Sequence, residues 1–325
     1  MKSFVIRRLL SLVPLLLVVT FITQALLVAA PGDYLTALTE NRRLSDATIA
    51  ALRHQYHLDS HNVFIRYGYW LWQALHGNFG YSFMYTSPVW SMVWERMFNT
   101  LLLTGAALII SWGLAIPLGV VSAVKRDSWL DRTISLLSLT ELSMPIIFLS
   151  LLLLLIAAKT GWFPIGGVRD EVNWNSFNFL EKIGDTLAHV ALPGFALGFI
   201  NMGQYIRQMR GEMIETLSQD YIRTARAKGL KTSRILFRHA LGNAVNPLVS
   251  LFGFSVAYLL AGAILTETIF AWPGMGRLTF EALQNKDEPL VMATVVLLTV
   301  TLVAGSVISD LMLGMIDPRI RLQGQ

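Results

Sequence analysis

Six long runs of apolar residues constrain the fold of this chain more than any other feature of its sequence. An α-helix rises roughly 1.5 Å per residue, so about 20 apolar residues cross a hydrocarbon core of roughly 30 Å. Because backbone groups cannot bond to water inside a bilayer, such runs fold as helices. The sequence therefore predicts an all-α integral membrane protein with six transmembrane helices. The approximate runs are residues 9–30, 100–124, 134–158, 187–208, 245–270 and 290–313.

Composition favours one membrane domain over residues 1–325 instead of two soluble domains. Hydrophobic residues make up 54% of the chain and charged residues 14%, whereas soluble domains carry about 25% charged residues. The net charge of +5 does not indicate nucleic-acid binding, because the cations cluster in short loops between apolar runs. The absence of cysteine excludes disulfides, thiolate metal sites and cysteine nucleophiles.

The N-terminal third combines a retained helix with a long polar segment. The first run has 22 residues, more than the ~7–15 of a signal-peptide core, so we expect it to stay in the membrane. Residues 31–99 form a predicted extracytoplasmic cap region, in which Ser45 and Asn62 can cap two short amphipathic helices. These helices either lie on the membrane surface or pack into a small external cap. Four tryptophans suit the headgroup layer: Trp70, Trp72, Trp90 and Trp94.

The distribution of basic residues predicts the orientation in the membrane. With the N-terminus inside, the inner loops and termini hold 16 of the 26 Lys and Arg residues, and the much longer outer loops hold 10. Positively charged residues concentrate on the cytoplasmic side of membrane proteins. We therefore expect both termini, and the basic loop 218–247 between the fourth and fifth helices, to lie in the cytoplasm.

The sequence lacks the motifs of several catalytic classes. No Gly-Lys dipeptide occurs, so a nucleotide-binding phosphate loop is absent, and no His-Glu dipeptide begins a zinc-protease motif. The chain is thus not expected to be an enzyme or to hold a cofactor or metal of its own. A membrane-embedded hydrolase would need a nucleophile and base, and no motif supplies them.

Five polar residues within the apolar runs are candidates for lining a translocation path. A charge in the bilayer is costly, so such residues face a cavity or a partner. The candidates are Glu141, Asn201, Gln204, Gln208 and Glu267. Glu141 precedes Pro145, which opens the helix backbone, and Glu267 is expected near the outer face and partly wet. The three amides share one helix face, which either lines a cavity or bonds to a neighbouring helix.

The basic loop 218–247 has the pattern of a docking element. Small residues allow a helix to approach a partner surface closely, and a glycine permits a sharp turn between two helices. Thr232 or Ser233 can cap the second helix. The alternative, that the basic residues only fix topology, leaves the small residues unexplained. The candidate docking residues are Ala225, Arg226, Ala227, Lys228, Gly229 and Leu230.

Four stretches of the sequence resemble the permease subunits of ABC importers of the dipeptide/oligopeptide/nickel family, and they follow one another in the order that the family has. The first is the loop sequence D-Y-I-R-T-A-R-A-K-G-L at Asp220–Leu230 with F-R-H-A-L at 237–241. The others are G-W-F-P at 161–164 with two following glycines, F-A-W-P-G-M-G-R at 270–277 and D-P-R-I-R at 317–321. The loop departs from the general importer motif, which has glutamate and proline where this chain has Arg223 and Gly242.

This resemblance implies a type I importer with a five-helix core unit over residues 100–313. A homologous second permease subunit would complete the channel as a heterodimer. Two cytoplasmic ATPases, which bind the ATP and Mg, would dock on the loop, and an extracytoplasmic solute-binding protein would deliver peptide. The implied location is the inner membrane of a prokaryote, surrounded by lipid. A nickel-chelate or glutathione importer remains an alternative, and an ion-coupled secondary transporter would differ by working without ATPases.

Overall fold

The computed structural model describes residues 2–30, 32 and 62–316, and these are predominantly helical. The predicted cap at Ser45 lies outside the described residues. The first elements are α1 (Lys2–Ala29), α2 (Val63–Leu75), β1 (Tyr81–Ser82), β2 (Ser87–Pro88), α3 (Val89–Val124), α4 (Trp129–Ser143), α5 (Ile146–Thr160) and α6 (Phe179–Ser218). The remainder are α7 (Asp220–Ala227), α8 (Thr232–Arg234), a π-helix (Ile235–Ala240), α9 (Leu241–Ala244), α10 (Asn246–Ser250), α11 (Phe252–Ile269), α12 (Met275–Gln284) and α13 (Glu288–Ile316).

Four helices in the described part of the chain are long and apolar enough to cross a membrane. They are α1 over Leu10–Ala29, α3, α6, and α13 over Glu288–Met312. The pair α4 and α5 adds a fifth span if the two are counted together. The helices α3 and α6 have 36 and 40 residues. Helix α6 extends beyond its predicted run at both ends, whereas α3 begins before residue 100 but ends at Val124, as predicted.

The predicted third span is not one continuous helix, and this corrects the sequence interpretation. Its two halves, α4 and α5, are bent by 106°. The break falls at Met144, which has extended backbone angles, and Pro145. Proline removes a backbone donor and disfavours helical geometry in the preceding residue, which accounts for the position of the break. The fifth run is also divided, because the single residue Leu251 separates α10 from α11.

The chain divides into two compact units. The N-terminal unit comprises Lys2–Asn99 and Pro273–Thr301, and the central unit comprises Thr100–Trp272 and the residues from Leu302 onward.

In the N-terminal unit, an antiparallel pair of short strands, β1 and β2, precedes α3. Asp287 ties this hairpin to the start of α13, since its carboxylate accepts hydrogen bonds from the Ser82 hydroxyl at 2.6 Å and the Met84 amide at 3.0 Å. Burial raises the pKa of Asp287. The predicted cap of α2 is confirmed, because the Asn62 side chain accepts a hydrogen bond from the Phe64 amide.

In the central unit, the other helices pack around α6. Ser122 and Arg210 both donate to the buried carboxylate of Asp131, Arg210 through two bonds of 2.7 and 2.8 Å. This bidentate pair links the first turn of α4 to α6 and compensates the desolvation of the carboxylate. A close backbone approach at Gly198, where an added Cβ would lie 2.6 Å from the Ala107 carbonyl oxygen, brings α6 against α3 as small residues do in membrane bundles.

Candidate translocation cavity and docking loop

A cavity of about 450 Å³ lies in the central unit beside the middle of α6. Its lining combines apolar side chains with a carboxylate, amides and hydroxyls. The lining residues are Glu141, Leu142, Ile200, Asn201, Gln204, Tyr205, Leu251 and Ser255. The structure thus brings together three of the five predicted path residues, from the end of α4 and from α6. The Tyr205 hydroxyl donates to Ser255 at 2.6 Å, which closes one wall with a fixed polar pair.

Glu141 lines the cavity and also joins two helices. Its carboxylate accepts a hydrogen bond from the backbone amide of Gln204 at 2.9 Å. One residue earlier, Gly203 leaves no room for a side chain, since an added Cβ would lie less than 3.0 Å from the Ser138 carbonyl oxygen and from the Glu141 carboxylate. Arg207 donates to the same Ser138 carbonyl oxygen. Glu141 therefore both lines the cavity and accepts a hydrogen bond from the neighbouring helix, while its role in a translocation path stays a prediction.

The three amides predicted on one face of α6 have different surroundings. Asn201 is buried, Gln204 is exposed and Gln208 is partly exposed. Asn201 and Gln204 are one turn apart on the cavity wall, while Gln208 lies outside the lining. The helical spacing predicted that the three amides share one face of α6, but only Asn201 and Gln204 line the cavity.

Glu267 lies in α11 and is fully buried. Its carboxylate accepts a hydrogen bond from the Thr100 hydroxyl at 2.7 Å, and it lies outside the cavity lining. The expectation that the Glu267 side chain is partly exposed to water is wrong. The physical reason is the neighbouring start of the 100–124 run, which covers the carboxylate and supplies a donor, and this long-range contact cannot be read from local sequence.

The basic loop has the predicted helix–glycine–helix form. The helix α7 ends at Ala227, and Gly229 has φ of 74°, a left-handed conformation that favours glycine. The predicted cap at Thr232 or Ser233 is wrong, because α8 begins at Thr232 itself with Lys231 in the capping position. A π-helix follows directly and continues into α9, so the second helix of the loop is wider than an α-helix in its middle.

The six predicted docking residues divide between two faces of the loop. Arg226, Ala227, Lys228 and Gly229 are exposed. Ala225 is buried, and Leu230 packs against the same apolar cluster, which also includes Ile222 of α7 and Met209 and Met213 of α6. Residues 226–229 thus form an exposed surface of small and basic groups. Ala225 and Leu230 face inward and hold that surface against α6.

Sequence reasoning overlooked two aromatic side chains on this loop. Phe237 is 68% exposed and Tyr221 is 43% exposed. The Tyr221 hydroxyl accepts a hydrogen bond from the Asn243 side chain at 2.9 Å, which bridges α7 to α9. A large apolar residue such as Phe237 amid charged neighbours is a sequence signal of a contact surface, and it could have been included among the docking candidates.

Comparison with known proteins identifies the family. The profile described as "Binding-protein-dependent transport system inner membrane component" matches residues 115–322. A second profile, "Binding-prot-dependent transport system membrane comp, N-term", matches residues 1–104. Together the two matches cover nearly the whole chain, including the cavity and the loop.

Individual relatives agree with these profiles. The chain is 36% identical over 322 residues to the oligopeptide transport system permease protein AppB of Bacillus subtilis (strain 168), covering 98% of this chain and 99% of the relative. It is 37% identical over 337 residues to the dipeptide transport system permease protein DppB of Escherichia coli (strain K12), covering 99% of both. It is 34% identical to the di/tripeptide permease DppB of Pseudomonas aeruginosa (strain UCBPP-PA14), covering 99% of this chain and 100% of the relative.

A solved structure supports the fold. The inward-facing MetNI methionine ABC transporter (CY5 native crystal form) aligns with a TM-score of 0.55 at 18% identity, over 70% of this chain and 96% of the other. At this identity the likeness concerns the fold alone. With both profiles and the relatives, it confirms the resemblance inferred from the loop and the three flanking motifs. The chain belongs to the family of inner-membrane permease components of binding-protein-dependent ABC transport systems.

Proposed function

We propose that this chain is one channel-forming half of an ATP-driven importer that carries peptides across the cytoplasmic membrane. The relatives are named as dipeptide, di/tripeptide and oligopeptide permeases. The single observation that carries the proposal is the cavity that joins Glu141, Asn201 and Gln204. A peptide presents amides and two charged ends, and this lining offers a carboxylate and amides without a deep side-chain pocket, so peptides of different sequence could pass.

The proposed arrangement has six transmembrane helices, with α10 and α11 forming the fifth. Both termini and the docking loop are cytoplasmic, and residues 31–99 form an extracytoplasmic region that meets a solute-binding protein. A homologous second permease faces the cavity, and two ATPases hold the ATP and Mg. The basic residues concentrate on the proposed inner side, which supports this orientation.

The loop and the cavity are connected by one buried apolar cluster. It contains Tyr205, which lines the cavity, Met209 and Met213 further along α6, and Ile222 and Ala225 of the loop. From Gln204 to Ser218, α6 extends about 21 Å. Because a packed core transmits displacement instead of absorbing it, movement of an ATPase surface against the loop would reach the cavity wall. ATP would then bias an equilibrium between inward- and outward-facing states.

Uptake of a labelled dipeptide tests this function. We expect Asn201→Ala and Gln204→Ala to alter the KM or rate of uptake while the assembled complex remains intact on size-exclusion chromatography. Gln208→Ala, on the same helix but outside the lining, is the matched control and should transport normally. Loss of assembly without a specific uptake defect would show that the amides hold helices together and do not meet the substrate.

A further inference from the structure

The polarity of α2 is the reverse of that in a water-soluble protein. All its strongly exposed side chains are apolar, with Phe64 73%, Ile65 57%, Trp72 64% and Leu75 73% exposed. Three of them recur at spacings of eight and three residues, which places them on one side of a helix. A helix in contact with water turns its charged and polar residues outward. The exposed face of α2 therefore matches an apolar environment.

The opposite face of α2 carries its polar groups, and they are paired within the N-terminal unit. Arg66 donates to the Glu288 carboxylate, and its side chain is only 12% exposed. Gln24 of α1 donates to the same carboxylate at 2.7 Å. Gln73, two turns after Arg66, donates to the Tyr69 hydroxyl at 3.1 Å. Glu288 is the first residue of the α13 span, so this pairing lies at one end of that helix, and it leaves the outward face of α2 without a charge.

The position of α2 along α1 sets its depth. The Tyr67 hydroxyl donates to the Leu17 carbonyl oxygen at 3.1 Å, and the rings of Phe64 and Phe21 have centroids 5.4 Å apart. The candidate span of α1 is Leu10–Ala29, so Phe21 lies about 12 Å before the end of that span. A hydrocarbon core has a half-thickness of about 15 Å. The first turns of α2 consequently lie alongside the middle of a transmembrane helix.

We propose that α2 is embedded in the hydrocarbon layer beside α1 and that lipid acyl chains cover Phe64, Ile65, Trp72 and Leu75. The depth and the uniformly apolar exposed face favour lipid over water or a polar protein surface. This placement removes α2 from the extracytoplasmic region proposed for residues 31–99. It goes beyond the import function and does not depend on it.

The cysteine-free sequence permits a direct test with single-cysteine variants of the full chain in bilayers. Phe64→Cys, Ile65→Cys and Leu75→Cys would carry a nitroxide, and collision rates with oxygen and with a water-soluble nickel chelate would be measured by EPR. Ile109→Cys, 75% exposed within the α3 span, is the lipid control. Val172→Cys, 88% exposed between α5 and α6, is the aqueous control.

We expect all three α2 sites to resemble the Ile109 control, with frequent oxygen and rare nickel collisions. A nickel rate at position 64 equal to that at Val172 would overturn the proposal and place α2 in water. Low rates for both reagents would overturn it as well, because the face would then be covered by residues 33–61 or by another protein. Unchanged thermal unfolding of each labelled variant shows that the native fold is being probed.

Discussion

The contact between α4 and α6 at Gly203 predicts that one added methyl group disrupts the central unit. In Gly203→Ala, the new Cβ would approach the Ser138 carbonyl oxygen and the Glu141 carboxylate to less than 3.0 Å, whereas ordinary contacts are 3.4–4 Å. The helices must therefore separate by roughly 1 Å. Overpacking of this kind costs ~1–3 kcal/mol. The separation also weakens the bonds of Glu141 to Gln204 and of Arg207 to Ser138, at about 1 kcal/mol each.

These terms add to about 3–5 kcal/mol. Alanine favours a helix over glycine by up to ~1 kcal/mol, so the expected net loss is about 2–4 kcal/mol, measured as the free energy of unfolding in mixed detergent micelles. Gly211→Ala is the matched control on the same helix, since an added Cβ there has no described atom within 4 Å. Removing a glycine from an open helix position is neutral or stabilises by up to ~1 kcal/mol. Equal stability of the two variants would refute the geometry derived for Gly203.

Three further predictions concern the loop, an ion pair and a phenol. Gly229→Val should lower uptake per ATP hydrolysed while insertion persists, because its left-handed φ is unfavourable for a β-branched residue; normal coupling would contradict this. Arg210→Ala should destabilise by about 3 kcal/mol by leaving the buried Asp131 carboxylate without its cation, whereas Arg126→Ala, whose partner is 81% exposed, should change stability by less than about 1 kcal/mol. Burial and the hydrogen bond to Glu281 raise the pKa of Tyr85 to about 12. The contribution of the neutral phenol to stability is therefore complete below pH ~10 and is lost as pH rises through 12. An ultraviolet difference titration of the wild type against Tyr85→Phe measures this pKa, and ionisation of Tyr85 near pH 10 would contradict the prediction.

Local patterns predicted the features that depend on a few adjacent residues. The Asn62 cap and the turn at Gly229 require only a side-chain acceptor or a missing Cβ at one position. Apolar length identified the spans α1, α3, α6 and α13, because crossing a bilayer needs a fixed number of apolar residues.

Features that depend on contacts distant in sequence were missed. The bond from the Gln204 amide to Glu141 spans 63 residues, and the burial of Glu267 depends on Thr100, 167 residues away. Pro145 predicted a local opening of the helix backbone, but nothing in the sequence indicated a bend as large as the 106° between α4 and α5. In the candidate site, the sequence therefore predicted five polar candidates, and the packing of the helices brings only Glu141, Asn201 and Gln204 together at the cavity.

ATP dependence of peptide uptake in proteoliposomes tests whether this chain is the permease half of an ATP-driven importer. The chain would be reconstituted with its partner permease, ATPases and binding protein, and entry of a labelled dipeptide would be followed with ATP in the compartment that contains the ATPases. We expect uptake that requires ATP hydrolysis, persists without any ion gradient, and stops when the ATPases are omitted. Uptake driven by a proton or sodium gradient in the absence of ATPases would contradict this expectation and identify the chain as a secondary transporter.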